Sequence, residues 1–400
     1  MSGGASRALP PEGLLIALLA AITASAPVSL NIFLAALPSV QAEFGVTVAE
    51  ANVTISAGLL SFATGVFLYG PLSDRHGRRP MILVGLSIAA VGNIACLLAP
   101  TLDLLIAGRV LQGFGTAAGV VVARAILGDL FEREKMARML AYLTMVMIIG
   151  PTVAPLVGGL LTEAFGWHSV FACMLVATVV VAWLAWRWLP ETRPAGLHGA
   201  TLGSILKVSG GLLRRPMFLG YTLQSSVIYA TFLTFISLIP YVMAELGHPA
   251  TVYGLWYLLV AGGYFLGNWY VTRIGPRLGP HRLMVLGAGM QFVGAGVGLA
   301  LMLAGFWHPA AIFLPMFVMG AGQGMALPNV TASAVALARN SAGAASSMLG
   351  FSQQMVGALS VQAMALLPAT TPVPVYVFCA ATAALAFGAV LVLPDAEKAR

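Results

Sequence analysis

Charged residues are scarce in this sequence. Asp, Glu, Lys and Arg together make up 8% of its 400 residues, while hydrophobic residues make up 59%. Soluble domains carry about 25% charged residues, so this chain has too little polar surface for a soluble fold. The composition therefore indicates a protein that crosses a lipid bilayer several times. In that setting the net charge of +7 serves to fix membrane orientation, and we expect no nucleic-acid partner.

Cysteine is also scarce, and the three cysteines do not have the spacing of a metal or redox site. Cys96, Cys173 and Cys379 all lie in apolar runs, where cysteine behaves as a small hydrophobic residue. The glycine-rich stretch GAGQGMALP lies inside an apolar run with no strand before it, so it is not a phosphate-binding loop. Because a nucleophile-and-base arrangement is also missing, we predict that the protein is not an enzyme and needs no cofactor or metal.

Long apolar runs are abundant. A bilayer-spanning helix needs about 20 mostly apolar residues. Twelve such stretches centre near residues 26, 60, 90, 115, 149, 178, 229, 262, 293, 321, 354 and 383. Signal peptides begin with a positively charged region, but Arg7 is the only basic residue before the first stretch. This stretch also continues through Pro38, so we expect a first spanning helix instead of a cleaved signal peptide.

One long polar connection divides the chain. The sequence predicts an all-α membrane protein with an N-terminal six-helix bundle (1–189), a cytoplasmic linker (190–216) and a C-terminal six-helix bundle (217–400). Lys and Arg cluster in the connections on one side, whereas outer loops such as PTLD at 100 and HPAT at 248 contain neither. Loops rich in Lys and Arg stay in the cytoplasm, so both termini are expected there.

The two halves of the chain resemble each other. FLAALPSVQAEFGVTVAEANV from residue 33 is similar to FISLIPYVMAELGHPATVYGL from residue 235. FLYGPLSDRHGRRPMIL from residue 67 is more weakly similar to FLGNWYVTRIGPRLGPHRLMVL from residue 265. Tandem six-helix repeats of one orientation are typical of transporters that open alternately to the two sides of a membrane.

The densest cluster of charge lies in the inner loop GPLSDRHGRRP, residues 70–80, between the second and third predicted spans. This loop resembles the signature loop of the major facilitator superfamily, Gly-X-X-X-Asp-Arg-X-Gly-Arg-Arg. A basic loop that only sets topology would explain its arginines but not its glycines and aspartate. The matching residues are Gly70, Asp74, Arg75, Gly77, Arg78 and Arg79.

We interpret this loop as a cytoplasmic latch. Gly70 would let the second helix approach a neighbour closely. Asp74 would accept charge-assisted hydrogen bonds and lie at the positive N-terminus of a helix in the other half. The resemblance suggests that this helix is the eleventh, starting near Gly343, and that Arg124 is the basic partner. Such contacts would favour the outward-open state.

Two further stretches resemble motifs of this superfamily. RVLQGFGTAAG resembles its helix 4 motif, and GPTVAPLVGG resembles the helix 5 motif associated with antiporters, although an ordinary packing interface would also explain the second. The matching residues are Arg109, Gln112, Gly113, Gly115 and Ala117 in the first, and Gly150, Pro151, Pro155, Gly158 and Gly159 in the second.

With SLNIFLAALPSV in the first span, residues 13–393 resemble the Bcr/CflA branch of the twelve-helix drug:proton antiporters. The resemblance implies a monomeric multidrug efflux transporter of a bacterial inner membrane, able to cause antibiotic resistance. It would export small amphiphilic substrates by alternating access in exchange for protons. A dedicated exporter of a sugar or amino acid derivative without proton coupling, and a transporter-like sensor, are the alternatives.

The sequence departs from this branch at one position, since an Asp of the first span is replaced by Asn31. A desolvated carboxylate can load and release a proton near neutral pH, but an amide cannot titrate. None of the acidic residues lies near the middle of a predicted span. Asp129 and Asp74, nearer the membrane surface, are therefore our candidates for proton coupling.

Polar residues within the spans suggest a substrate cavity. If the family plan holds, helices 1, 4, 7 and 10 line it. Their polar residues are Asn31, Arg109, Gln112, Gln224, Tyr229, Gln323 and Asn329. A buried arginine in a span is a functional candidate by default, although Arg109 would also serve to pin helices together. An uncharged cavity with an unpaired Arg109 would favour neutral or weakly anionic amphiphiles over lipophilic cations.

Overall fold

The structure, a computed structural model, describes residues 10–194, 202–338, 342–367 and 371–392. These residues form fourteen helices and contain no strand. The helices are α1 (Glu12–Leu34), α2 (Leu37–Phe44), α3 (Val48–His76), α4 (Arg78–Leu97), α5 (Leu102–Leu130), α6 (Arg133–Phe165), α7 (His168–Trp188), α8 (Leu202–Leu213), α9 (Pro216–Glu245), α10 (Ala250–Leu278), α11 (Pro280–Leu303), α12 (Pro309–Ala336), α13 (Ala342–Ala365) and α14 (Val373–Val392).

Eleven helices among the described residues are long and apolar enough to cross a membrane. The all-α membrane fold is thereby confirmed. The twelfth predicted span, centred near residue 354, corresponds to α13, which has 24 residues but is not one of the eleven. Its serines and glutamines, such as Ser346, Ser352, Gln353 and Gln354, lower its hydropathy.

The chain divides into two compact units. The first comprises Met1–Ser39 and Ala57–Ser204, and the second comprises Val40–Ser56 and Ile205–Arg400. The division therefore cuts α3 after Ser56. Within the second unit, Gln362 of α13 donates a hydrogen bond to the Ala49 carbonyl at 3.0 Å, and the Ser56 hydroxyl lies 3.2 Å from Gln362 Oε1. The bundle and linker bounds given above stay a prediction, and residues 195–201 of that linker lie outside the described residues.

In the first unit, small residues let α4 and α5 pack backbone against backbone. A Cβ atom added to Gly85 would lie 2.7 Å from the Gly115 carbonyl oxygen. One added to Gly92 would lie 2.7 Å from the Gly108 carbonyl oxygen. Helices in a membrane associate through such close contacts, since burial from water does not drive them together there.

The second unit repeats this packing in α11 and α12. Gly287 and Gly294 stand 202 positions after Gly85 and Gly92. A Cβ added to Gly294 would lie 3.0 Å from the carbonyl oxygen of Pro315, which stands 207 positions after Gly108. The same helix contacts therefore recur at fixed offsets in both halves, as expected for a tandem repeat.

The offset of 202 positions corrects one of the two alignments between the halves that the sequence suggested. A Cβ on Gly65 would meet the Phe114 carbonyl, and one on Gly267 would meet the Ala321 carbonyl. Gly65 and Gly267 are again 202 positions apart, as are residues 33 and 235. The alignment of Phe67 with Phe265 is wrong by four residues, which is about one helical turn. The error arises because similar residues recur one turn apart on these helices.

Candidate functional site

A glycine turn builds the charged cluster at the end of α3. Gly77 has φ of 103° and ψ of 152°, a conformation that favours glycine because other residues are strained there. Its N–H donates to the Ser73 carbonyl at 3.0 Å, which closes α3, and α4 starts at the next residue. The turn places Arg78 beside Asp74, which lies in the last turn of α3.

The Arg78 guanidinium is shared by two carboxylates. Arg78 is only 5% exposed. Its Nη1 donates to Asp74 Oδ1 and, at 2.7 Å, to the Ser73 hydroxyl. Its Nε donates to Asp129 Oδ2, at the end of α5, at 2.9 Å. The Thr192 hydroxyl donates to the same Asp129 oxygen at 3.2 Å. Two anions and one cation therefore form a compact cluster in which loss of either anion weakens the hold on Arg78.

Glu191 completes this cluster and was not singled out from the sequence. Its carboxylate accepts the backbone N–H of Arg78 at 2.8 Å and that of Arg79 at 3.2 Å. The first N–H groups of a helix lack partners within the helix, and a carboxylate placed there also complements the helix dipole. Gly77 leaves the room that this requires, because a Cβ there would lie 2.5 Å from Glu191 Oε2. The only sequence signal was an acid directly after the last span of the first half.

Two more arginines connect the loop to the end of α7 and the residues after it. Arg193 Nη1 donates to the Arg75 carbonyl at 2.9 Å, and Arg79 Nη2 donates to the Trp186 carbonyl at 2.8 Å. The side chain of Arg75 itself is exposed. Of the six motif residues in this loop, Asp74 and Arg78 therefore form the ion pair, Arg79 tethers the loop, and Gly77 shapes it.

Asp74 and Gly70 have other contacts in this structure than those expected, and the gating roles of Arg124 and Gly70 stay predictions. Asp74 pairs with Arg78, four residues later. Arg124, the expected partner, is exposed on α5 and takes part in none of the ion pairs among the described residues. Gly70 is not a point of close helix approach, because a Cβ there would meet only Val121 Cγ1, at an ordinary 3.9 Å. The Gly77 turn places Arg78 within reach of Asp74, so Asp74 pairs with Arg78 and not with Arg124 of α5.

A second polar cluster lies inside the first unit. Arg109 is 4% exposed, and its guanidinium lies 4.8 Å from the centroid of the Phe33 ring. Its Nη1 donates to Gln112 Oε1, and Gln112 Nε2 donates to Asn93 Oδ1 at 2.5 Å. Asn93 Nδ2 then donates to the Thr178 hydroxyl at 3.2 Å.

These hydrogen bonds form one directional chain through α5, α4 and α7. The last hydroxyl, that of Thr178, donates to the Met174 carbonyl at 2.7 Å. Hydrogen bonds that follow one another in this way polarise each other in a low dielectric. Asn93 was not singled out from the sequence, where a lone Asn in an apolar span gives no indication of its partners. We call the residues Arg109, Gln112, Asn93 and Thr178 the buried relay.

The relay contains two of the predicted cavity residues, Arg109 and Gln112. Gln112, which is 2% exposed, directs its side chain towards Asn93 of α4, and its role at a cavity stays a prediction. Arg109 was expected to be unpaired, but it contacts an aromatic ring and an amide. Its positive charge therefore lies among neutral polar side chains, with a ring face against it.

Three of the other predicted cavity residues have hydrogen-bond partners within their own unit, and their place at a cavity stays a prediction. Asn31 and Asn329 each donate to the carbonyl one turn earlier, at 2.8 Å. Gln224, which is 2% exposed, donates to the Ala386 carbonyl at 3.5 Å, and Gln323 is also buried. The side chain of Tyr229 lies beside that of Gln354, so one residue of the predicted set neighbours a glutamine of α13.

The helix 5 motif lies on α6, with Pro151 and Pro155 inside the helix. A Cβ on Gly158 would collide with the Ile32 carbonyl of α1, and one on Gly150 would lie 2.8 Å from Val28 Cγ2. The glycines therefore allow close packing of α6 against α1. This contact fits the packing interpretation and leaves the antiporter interpretation a prediction.

The chain is similar to known transporters. Residues 18–361 match the family model described as Major Facilitator Superfamily. The chain is 27% identical over 354 residues to an uncharacterized MFS-type transporter, YdgK, of Bacillus subtilis (strain 168). This alignment covers 87% of each chain. It is 29% identical over 309 residues to multidrug resistance protein D of Escherichia coli (strain K12), covering 70% of this chain and 78% of that protein.

Solved structures support the same fold. The crystal structure of a D-xylose-proton symporter superposes with a TM-score of 0.76 at 16% identity, covering 97% of this chain and 98% of that one. At this identity the likeness shows the fold alone. The match of the family model over most of the sequence shows that the chain belongs to the Major Facilitator Superfamily, as a membrane transporter.

Proposed function

We propose that the protein is a secondary active exporter that expels small amphiphilic drugs by alternating access, in exchange for protons. The observation that carries the proposal is the similarity to multidrug resistance protein D along 78% of that protein. Placement in the Bcr/CflA branch, a monomeric state, a bacterial inner membrane and cytoplasmic termini belong to the same proposal. The one-sided distribution of Lys and Arg supports the orientation.

The cluster of Asp74, Arg78 and Asp129 is the proposed inner latch and proton site. Both carboxylates depend on the same guanidinium, since Arg78 contacts Asp74 and lies 2.9 Å from Asp129. A proton that binds either carboxylate removes one of the two charges that hold Arg78. The latch then loosens, so protonation and opening are coupled through one side chain. Arg124, exposed on α5, stays a candidate member of this gate in another conformation.

The proposed substrate cavity is lined by neutral polar side chains. They are Asn31, Gln224, Tyr229, Gln323 and Asn329, and Arg109 is the charged residue of the proposed set. The sequence has no Asp or Glu near the middle of a span, so a lipophilic cation would find no counter-ion there. We therefore propose that neutral or weakly anionic amphiphiles, such as phenicol-type drugs, are preferred over ethidium-type cations.

Drug accumulation in cells that express the protein tests this preference. We expect lower accumulation of a phenicol and unchanged accumulation of ethidium. Asn31→Asp should add ethidium export, because a carboxylate at this position supplies the missing counter-ion, whereas Asn31→Ala should not. Strong ethidium export without any effect on neutral drugs would exclude the proposal. If Asn31→Asp leaves ethidium export unchanged, the first span does not select for charge.

A panel of unrelated neutral drugs separates the proposal from its alternative. A dedicated exporter of a sugar or amino acid derivative would recognise its substrate by hydrogen bonds that are costly to leave unmade, and would reject most of the panel. An exporter with an adaptable lining would lower the accumulation of several of them. Export confined to one compound class would favour the alternative.

A further inference from the structure

One end of the second unit is cationic. Between Glu191 and Asp395 the only acidic residue of the sequence is Glu245, at the far end of α9. Successive helices run in opposite directions, so the start of α9, the end of α10 and the start of α11 meet at the opposite end. Arg215, at the start of α9, donates to the Leu337 carbonyl after α12 at 3.3 Å. The arginines at this end are Arg214, Arg215, Arg273, Arg277 and Arg282.

Two of these arginines continue an apolar ridge on α10. Phe265, Trp269, Arg273 and Arg277 stand four residues apart, the spacing at which side chains follow one another along a helix surface. Phe265 is 57% exposed and Trp269 is 50% exposed, and both arginines are exposed. The Arg273 guanidinium lies 5.6 Å from the centroid of the Trp269 ring. From the middle of the helix to its end, the exposed side chains of the ridge therefore change from a phenylalanine to a tryptophan and then to two arginines.

We propose that this ridge binds an anionic phospholipid of the cytoplasmic leaflet. The acyl chain lies along Phe265 and Trp269, and the phosphate contacts Arg273 and Arg277. Tryptophan is the residue that membrane proteins place at the level of the headgroups. The need for positive charge on the inside explains how many arginines this end carries. It does not explain why two of them continue an exposed aromatic ridge with one stacked on its tryptophan.

The order of side chains along the ridge favours a lipid over a protein partner. An acyl chain and its phosphate present an apolar part and an anion in the same order and along the same axis. Basic clusters at the cytoplasmic ends of spanning helices bind anionic headgroups, with about 1 kcal/mol from each Lys or Arg. The lack of nearby acids leaves this attraction unopposed. The proposal does not depend on the proposed transport activity, but it rests on the proposed orientation with cytoplasmic termini.

Lipid retention by the purified full-length protein tests the proposal. The protein is delipidated, exchanged into mixed vesicles of phosphatidylglycerol and phosphatidylcholine, and its co-purifying lipids are counted by native mass spectrometry. We expect selective retention of phosphatidylglycerol. The double variant Arg273→Gln, Arg277→Gln should retain it about thirty-fold more weakly, since each arginine contributes a factor of about five.

The matched control is the double variant Arg214→Gln, Arg282→Gln, which removes the same charge from the same end but leaves the four ridge residues unchanged. It should retain phosphatidylglycerol like the unchanged protein, and free inorganic phosphate should not compete. An equal loss in both doubles, or no preference for phosphatidylglycerol in the unchanged protein, would overturn the proposal. If the ridge double does not fold, the single variant Arg277→Gln should show a loss of about five-fold.

Discussion

Replacing Arg78 with Gln should abolish most transport and destabilise the protein. The Arg78 side chain is 6% exposed and is the ion-pair partner of both Asp74 and Asp129. Its removal leaves two carboxylates close together without a cation. Breaking a buried ion pair by deleting one partner costs about 3–5 kcal/mol, because an uncompensated charge stays behind. We expect at least a tenfold loss of drug efflux, together with a lower midpoint of thermal unfolding.

The matched control for this prediction is Arg75→Gln. Arg75 belongs to the same loop and carries the same charge, but its side chain is exposed, so its loss should change stability little. Adding Asp74→Asn and Asp129→Asn to the Arg78 variant should recover stability without efflux, because the uncompensated charges are then gone but the proposed proton site is too. Equal effects of the Arg75 and Arg78 variants would show that the loop acts only through its total charge.

The buried relay offers a second large effect. The positions equivalent to Asn93, Arg109 and Gln112 at the repeat offsets of 202 and 207 are Ala295, Met316 and Met319. These three are buried in the second unit, where apolar side chains fill the same helix contacts. The triple variant Asn93→Ala, Arg109→Met, Gln112→Met should therefore fold. If the relay serves transport, its efflux should fall at least tenfold.

Single substitutions in the relay should behave differently from the triple variant. Gln112→Leu removes the acceptor of Arg109 and the donor to Asn93 at once, and leaving a buried polar group without its partner costs about 1–3 kcal/mol. This variant should be less stable than the triple, in which the polar groups are removed together. A folded triple variant with normal efflux would mean that Arg109 only packs helices.

Composition and motifs were enough to predict the membrane fold and to single out Asp74 and Arg78, which the structure pairs. Apolar runs must be helices in lipid, where every backbone polar group needs an internal partner, so counting runs comes close to counting spans. The exception, α13, is polar enough that composition alone places it outside the eleven apolar spans. The signature loop indicated Asp74 and Arg78 because its glycine and charges stand at fixed offsets.

The contacts of the site residues were much harder to predict than the identity of those residues. Whether Asp74 meets Arg78 or Arg124 depends on the Gly77 turn and on the rotation of α5, and neither can be derived from residue spacing. Gln112 was expected to face a cavity because the family plan places its helix along the cavity, but the rotation of that helix decides which neighbour Gln112 meets. Glu191 acts on a loop more than a hundred positions earlier in the chain, so only the folded structure could join them.

The most direct test of the whole account is transport of a non-ionisable neutral drug into proteoliposomes with an imposed pH gradient. Such a drug cannot accumulate by ion trapping, so any gradient-driven accumulation requires the protein. Exchange for protons predicts accumulation in vesicles with an acidic interior, and its loss when a protonophore collapses the gradient. Equilibration of the drug to the same level with and without the gradient would contradict proton-coupled export.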